Sequence, residues 1–475
     1  MTTRFSTSLT SCIIAASVMF LAAPNSGRAA DEQKPAEQTT PTLEERVQTL
    51  EQKAAENDPL ATKGFIFTGY ARSGFYMTDQ GGSTTNDNDG AGFKLPGAGS
   101  HWRLGNEWDT YAELGIGKQW NTDDGANFKV LFMPTYKEYN DRDWVEYGSD
   151  EAKLTFRQAY AEATNVFGGL SFWAGERYYR RSDIHAIDFY YTGPSGLGGG
   201  VGDIPLGPMK LALAWLNSSR GNGLVLDDEG EYTTNNFYID LYNIGIGPGG
   251  LDIQASASWT SDGKVTGTDA DGVETVYDVD SENGFNVTAQ YGMGKFFGLG
   301  DGGFSKVFVQ YGTGTSMDFN AGGIWSVGSW NNYQTNIGDA SRFRFGTFGV
   351  LQMGSFEMMP VFVYEYTDNG ADKDSGQTWY TVGLRPEFTI NNHFSLQGDW
   401  GLDYVDMDGG PSGMMNKFSF APTIKVGGGF WDRPEIRAFV TYATWDDEFE
   451  GMVGGSAYAD ETSGFTYGMQ FEAWW

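Results

Sequence analysis

The C-terminal segment alternates between two kinds of residue, and this pattern most limits the folds open to the chain. One set is apolar or aromatic: Phe465, Tyr467, Met469, Phe471, Ala473 and Trp475. The intervening set is mostly polar or small: Thr466, Gly468, Gln470, Glu472 and Trp474. A period of two belongs to a β-strand whose faces meet different surroundings. The pattern therefore predicts a strand with one face in lipid and the other in water.

The rest of the chain also favours membrane-spanning strands over membrane-spanning helices. After residue 23 we find no run of about 18 apolar residues, which a membrane-spanning helix would require. The sequence contains 33 Phe, 25 Tyr, 15 Trp and 67 Gly, with repeated stretches of alternating polarity. A closed sheet satisfies its backbone hydrogen bonds without an apolar helix. We therefore predict an all-β fold, an antiparallel transmembrane β-barrel of about 18 strands over residues 65–475.

The first residues have the three-part layout of a secretory signal peptide. A basic start at Arg4 is followed by an apolar stretch from Cys12 to Ala23 and by small residues up to Ala30. We predict a signal peptide over residues 1–29. Because Cys12 is the only cysteine, its removal would leave no disulfide and no thiolate metal site.

Residues 30–64 are predicted to form a periplasmic extension, a linker with a short coiled-coil helix at 42–57. Thr42 and Glu45 form a capping box. The apolar seam is formed by Leu43, Val47, Leu50 and Ala54. About two heptads are too short for a stable isolated helix, so the segment would need partners held nearby. A solvated, charged helix without partners is the alternative.

Charge and histidine content argue against several other classes of protein. The chain has 62 Asp and Glu against 31 Lys and Arg, which argues against nucleic acid as a partner. His101, His185 and His393 form no recognisable Ser/His/Asp arrangement, and alternation with Ile187 and Phe189 places His185 toward the outer face. We predict no enzymatic activity, no metal and no cofactor.

Polar, glycine-rich segments mark the long external loops. The clearest are Asp79–Gly92 and Thr266–Asn283. Within the second, Asp269–Gly272 has only part of the ligand spacing of a calcium-binding EF-hand. We interpret it as an acidic, solvated loop.

Several predicted strands place an aromatic ring among charged residues on the water side. Alternation groups Tyr70 with Arg72, Tyr111 with Glu107, Asp109 and Glu113, Trp431 with Arg433, Glu435 and Arg437, and Trp474 with Gln470 and Glu472. The CH-rich faces of a sugar stack on aromatic rings, and its hydroxyls bond to ionic groups. The rings therefore predict a path for a pyranose chain, with interfacial or space-filling roles as the alternative.

Over nearly all of residues 65–475 the sequence resembles the maltoporin family. The resemblance is carried, in order and spacing, by Gly69–Gly74, Arg103–Glu107, Thr110–Leu114, Trp173–Gly175, Asp188–Tyr191, Arg433–Pro434 and Trp474–Trp475. The family implies an 18-stranded barrel, a homotrimer and a lumenal row of aromatic residues called the greasy slide.

Residue by residue, the resemblance assigns two sets of positions. The slide positions are Tyr70, Tyr111, Trp144, Trp431 and Trp474, of which Trp144 would reach the vestibule of a neighbouring subunit. One more slide position falls on Val307 by direct alignment or on Phe308 by alternation. The polar track and constriction positions are Arg72, Arg103, Glu113, Arg157, Arg181, Asp183, Asp188 and Tyr190.

Two features depart from the simplest maltoporins. Trp108 stands where some members have a disulfide-forming cysteine, and the N-terminal extension is similar to that of sucrose porins. Arg181 and Tyr190, however, match the constriction of maltoporins. The resemblance implies passive, saturable diffusion of maltose and maltodextrins across a Gram-negative outer membrane, with lipid and lipopolysaccharide around the barrel. A porin for sucrose or other oligosaccharides and a general, weakly cation-selective porin are the alternatives.

Overall fold

A computed structural model of the chain describes residues 64–81, 92–107, 109–139, 153–218, 225–226, 230–231, 234–260, 263–268, 274–279, 281–319, 337–370 and 376–475. The predicted signal peptide, the helix at 42–57, Trp108 and Trp144 lie outside these residues. Within the described part of the chain, no helix is long and apolar enough to cross a membrane.

The described residues form strands and a few short 3-10 turns. The strands are β1 (Phe65–Thr78), β2 (Asp109–Asn121), β3 (Asn127–Tyr139), β4 (Lys153–Val166), β5 (Leu170–Tyr178), β6 (Ser182–Ile184), β7 (Phe189–Thr192), β8 (Ser195–Leu206), β9 (Met209–Ser218), β10 (Val225–Leu226), β11 (Gly230–Glu231), β12 (Thr234–Ile246), β13 (Gly249–Thr260), β14 (Gly263–Thr268), β15 (Glu274–Val279), β16 (Asn283–Phe296), β17 (Leu299–Gly314), β18 (Ser341–Met353), β19 (Phe356–Asp368), β20 (Gly376–Asn391), β21 (Phe394–Met407), β22 (Ser412–Lys425), β23 (Glu435–Trp445) and β24 (Ser463–Trp474). The 3-10 turns span His185–Ile187, Ile337–Asp339, Asp447–Phe449 and Gly455–Tyr458.

Eighteen of these strands form one closed antiparallel sheet. Each pairs with its neighbour along the chain, and β1 pairs with β24 to close the barrel, with Tyr70 opposite Trp474 and Thr78 opposite Thr466. The remaining strands form three two-stranded hairpins, β6–β7, β10–β11 and β14–β15. Closure leaves no unpaired sheet edge in the membrane. The predicted 18-stranded barrel is therefore confirmed.

The faces of β24 follow the alternation of the sequence. Phe465 and Tyr467 are 43% and 49% exposed on the outside, whereas Thr466 and Glu472 are 1% and 2% exposed on the inside. The outward side chains supply the apolar band that lipid requires, and the inward ones hydrogen-bond within the lumen.

Connections differ at the two ends of the barrel. At one end many turns are tight, as between β16 and β17, where Phe297 and Gly298 have φ of 50° and 82°. Two consecutive positive φ values fit the hairpin turn whose twist matches the strands. At the other end the connections are longer. One of them, predicted as the external loop Thr266–Asn283, instead contains part of β14 and all of β15, because the chain continues to pair from Gly263 with Val279.

Two of the long connections fold back into the barrel and pack on its inner wall. One is residues 92–107, between β1 and β2. Its Trp102 is 1% exposed, and the indole Nε1 donates a 2.9 Å hydrogen bond to Thr381. Because a Cβ on Gly401 would lie 2.3 Å from the Trp102 ring, glycine at this position lets the indole lie against β21.

The second inward connection, residues 179–194 between β5 and β8, is called the constriction loop below. Hydrogen bonds fasten it to the wall formed by β17, β18 and β20. The Tyr191 carbonyl accepts from Gln310 Nε2 at 2.8 Å and from Arg344 at 3.1 Å, and the Ala186 carbonyl accepts from Arg385 at 2.8 Å. Both inward connections contribute to one apolar core with that wall, which includes Trp102, Ile184, Ile187, Tyr191, Phe308, Phe348, Val361 and Trp379.

Candidate functional site

A row of aromatic rings lies along the inner wall of the barrel. The rings of Tyr111 and Tyr70 have centroids 6.0 Å apart, and Tyr70 lies directly opposite Trp474 in the β1–β24 register. Trp474 and Trp431 follow at 6.4 Å, and Trp431 stacks on Phe304 at 6.5 Å. We call these five residues the aromatic line.

Strand alternation explains three of these positions but not Trp431. Tyr111, Tyr70 and Trp474 lie on β2, β1 and β24, with their side chains on the lumenal face. Trp431 was expected on a strand, in alternation with Arg433. It lies instead in the connection between β22 and β23, since β23 begins only at Glu435. From that connection the Trp431 ring contacts Phe304, Trp474 and His185.

The structure separates the two candidates on β17, Val307 and Phe308. Alternation places Phe304 and Phe308 on the lumenal face, and it places Val307 on the outer face with Val309, which is 42% exposed. Phe308 is 1% exposed and stacks on Tyr191 of the constriction loop at 4.1 Å, so it packs beneath that loop. Phe304 stacks on Trp431. Sequence analysis missed Phe304, although the same alternation would have included it.

Charged side chains flank the line on one side. The Arg72 guanidinium donates to both carboxylate oxygens of Asp109, at 2.9 Å and 2.8 Å. Arg103 donates to Glu472 at 2.8 Å and to the Tyr70 hydroxyl at 3.3 Å. The Tyr70 hydroxyl donates in turn to Glu472 at 2.9 Å. These bonds fix the hydroxyl edge of Tyr70 among ionic groups.

Glu472 forms ion pairs with the arginine side chains near Trp474. Arg433 and Arg437 each approach its carboxylate to 3.0 Å. The Arg433 guanidinium also lies over the Trp474 ring, with its carbon 4.1 Å from the ring centroid. A cation above an aromatic face adds electrostatic attraction to packing, so Arg433 holds Trp474 in place.

A second acidic side chain, Glu113, lies at the Tyr111 end of the aromatic line. Glu113 accepts hydrogen bonds from the hydroxyls of Tyr111 at 2.6 Å and Tyr178 at 2.8 Å. Arg157, on β4, is exposed and lies close enough to act electrostatically on both tyrosines. The Tyr111 end of the aromatic line therefore has the fixed carboxylate of Glu113 beside the exposed guanidinium of Arg157.

The constriction loop brings the remaining predicted residues to the channel. The Arg181 guanidinium carbon lies 3.8 Å from the Tyr178 ring centroid and 4.7 Å from that of Tyr190. Tyr190 is 37% exposed, and Asp183 is also exposed. Asp188, whose φ of 49° turns the loop, lies 3.9 Å from Arg72. Every predicted site residue that the structure describes thus lies around one lumenal path.

The expected position of His185 is wrong. The segment is not one extended strand but a 3-10 turn between two short strands, so alternation does not continue through it. His185 faces the lumen, with its ring 5.4 Å from Trp431 and 5.7 Å from Trp474. Burial holds the pKa of the imidazole well below its usual range, so it is neutral at pH 7.

Fold and site define the class of protein. A closed barrel with an apolar exterior, a charged lumen and loops that narrow its interior is a porin of the bacterial outer membrane. The family model described as "LamB porin" matches residues 65–475, and the chain belongs to that family. Among the described residues, no group of three or more His, Cys, Asp or Glu is arranged to hold a metal ion.

Three solved structures resemble this fold at low identity. OccAB2 of Acinetobacter baumannii is 10% identical with a TM-score of 0.45, covering 87% of this chain and 99% of its own. A BenF-like porin of Pseudomonas fluorescens is 9% identical with a TM-score of 0.47, covering 86% and 99%. OmpT of Vibrio cholerae, in a trimer form, is 8% identical with a TM-score of 0.39, covering 86% and 99%.

Proposed function

We propose that the channel carries maltose and linear maltodextrins across the outer membrane by passive, saturable diffusion. The aromatic line is the observation that supports this most directly. It offers flat apolar surface along the lumen from Tyr111 to Phe304, with ionic groups beside it. Glucose units joined in a thin chain present both a CH-rich face and a belt of hydroxyls. Along one path, the rings can therefore bind the CH-rich face of each glucose unit while the ionic groups bind its hydroxyls.

The proposed roles follow from this geometry. Tyr70, Tyr111, Trp431 and Trp474 stack on successive sugar rings, with Phe304 at the end of the row. The hydroxyls exchange hydrogen bonds with the flanking side chains, namely Arg72, Arg103, Glu113, Arg157, Arg181, Asp183 and Asp188. Tyr190 and Arg181 narrow the path. Trp144 lies outside the described residues, and its role in a neighbouring vestibule stays a prediction.

Binding must be weak for the channel to work, because a pore has to release what it binds. We expect maltodextrins added to a planar bilayer to reduce the ion current in a saturable way. A dissociation constant near 1 mM, about −4 kcal/mol, would concentrate sugar without trapping it. Longer oligomers should block more tightly than maltose because they cover more rings. The proposal would be contradicted if maltohexaose left the current unchanged at a concentration tens of times its expected dissociation constant.

Two other porin functions make different predictions in the same membranes. A sucrose porin would pass sucrose and raffinose faster than maltodextrins of similar mass in liposome swelling. A general porin, which the acidic composition would make mildly cation-selective, would show no saturation with any sugar. Aligned rings beside the path favour a sugar channel over a general porin, which does not require them. Arg181 and Tyr190, which match the constriction of maltoporins, favour maltodextrins over sucrose.

We further propose that the protein is a homotrimer held mainly by contact between barrels, with residues 30–64 in the periplasm. Deleting residues 31–57 should leave a trimeric pore, because about two heptads contribute less apolar contact than neighbouring barrel walls. Native mass spectrometry and the mobility of unheated samples in gels would measure the assembly. Monomeric barrels after the deletion would show that the extension, rather than the barrel, holds the trimer.

A further inference from the structure

We propose that Lys306 is a further specificity-determining residue of the channel, whose ammonium group donates hydrogen bonds to the sugar unit beside the Phe304–Trp431 stack. The inference rests on the proposed function and extends it to the β17 wall. None of the predicted track residues lies on this wall.

The position of Lys306 follows from the alternation of β17. Phe304, Lys306 and Phe308 share the lumenal face. Phe304 ends the aromatic line on Trp431, and Phe308 packs beneath the constriction loop. Lys306 therefore lies between the end of the aromatic line and the part of β17 that the constriction loop covers. Its Nζ is 6.0 Å from the Phe348 ring centroid.

Lys306 differs in its pairing from the cations on the opposite side of the path. Arg72, Arg103 and Arg433 are each ion-paired with a carboxylate at 3.2 Å or less. Within the described part of the chain, the Lys306 ammonium makes no hydrogen bond and no ion pair. An ammonium group has three donors, and a partly buried one is costly to leave unbonded.

Two carboxylates lie in the wider surroundings of Lys306. The carboxylates that act on its charge are those of Asp183, on the constriction loop, and Asp252, on β13, both beyond ion-pairing distance. Asp252 and Gln290 help to line a cavity of about 200 Å³ between that loop and the wall of β12, β13 and β16. Lys306 itself is half-buried on the lumenal face of β17, so part of its side chain is open to the lumen.

The consequence is a path with donors on both sides where the sugar passes the constriction. Arg433 donates from the β23 and β24 side, where the Glu472 carboxylate accepts, and Lys306 donates from β17. A glucose unit whose ring stacks on Phe304 and Trp431 projects hydroxyls from both ring edges. Binding at both edges selects a flat, unbranched chain and disfavours a unit that presents hydroxyls on one edge only.

Lys306→Met and Lys306→Arg test the inference in planar bilayers titrated with maltotriose to maltohexaose. We expect Lys306→Met to weaken block roughly tenfold, in line with the loss of one charge-assisted hydrogen bond. Current-noise analysis should show the change mainly as faster sugar release. Lys306→Arg retains donors and should restore most of the affinity. Lys129→Met is the matched control, because Lys129 is a lumenal lysine already paired with Glu162 at 2.6 Å.

The outcomes separate this inference from the proposed function. If wild-type current is not blocked by maltodextrins, the proposed function fails and Lys306 has no sugar to bind. If wild-type current is blocked and Lys306→Met is blocked equally well, only the role of Lys306 is overturned. Equal weakening by Lys306→Met and Lys129→Met would also overturn it, because the effect would then be one of lumenal charge alone.

Discussion

Replacing Arg181 by Ser and Tyr190 by Ala in one variant should raise sucrose flux and ion conductance several-fold. Both side chains project from the constriction loop into the path, with the Arg181 guanidinium 4.7 Å from the Tyr190 ring. We propose that they form the narrowest point of the path, on which conductance depends most strongly, so their removal should widen it. Affinity for long maltodextrins should fall only modestly, since the aromatic line remains. Liposome swelling and single-channel conductance would measure the two effects.

Arg180→Ser is the matched control for this variant. Arg180 precedes Arg181 in the same loop, but its guanidinium lies over Tyr242 at 4.1 Å and contacts Asp240 at 3.3 Å. It therefore points to the far side of the loop, and its removal should leave sucrose flux nearly unchanged. If the double variant passes sucrose no faster than wild type, Arg181 and Tyr190 do not form the constriction.

Replacing Trp431 or Trp474 by Ala should weaken maltodextrin block and leave ion conductance nearly unchanged, the opposite of the effect of the double variant. Each substitution removes one ring from the line, which should weaken maltodextrin block by about 1 kcal/mol, the scale of an aromatic contact. That corresponds to roughly a fivefold rise in dissociation constant. Ion conductance should change little, because neither ring belongs to the constriction. Titration of the block with maltodextrins of increasing length would measure the effect.

Trp475→Ala provides a control one residue away. Trp475 is 48% exposed on the outside of the barrel, where it packs on Phe67 at 5.6 Å. It should leave sugar block intact, while Trp474→Phe, which keeps a ring, should lie between wild type and Trp474→Ala. Unchanged block in both Trp431→Ala and Trp474→Ala would rule out the aromatic line as the sugar path.

The sequence by itself determined which side of each barrel strand meets lipid and which meets water. In β24 the alternation separates Phe465 from Thr466 and Trp475 from Trp474, and the structure keeps that separation. The same rule placed Tyr70 and Tyr111 in the lumen. It succeeds because successive side chains of a strand point to opposite faces, whatever the strand pairs with. The family resemblance supplied residues such as Arg103 and Arg181, which do not lie on barrel strands.

Only the tertiary structure decided where the chain between barrel strands goes. Trp431 and His185 reach the aromatic line from a connection and a 3-10 turn, where no period of two applies. Phe304 and Phe308 share one face of β17, yet one faces the path and the other is covered by Tyr191. That difference is set by hydrogen bonds from Gln310 and Arg344 to the constriction loop, more than a hundred residues away in sequence. Local alternation contains no information about such long-range packing, so the shape of the path is a property of the folded barrel.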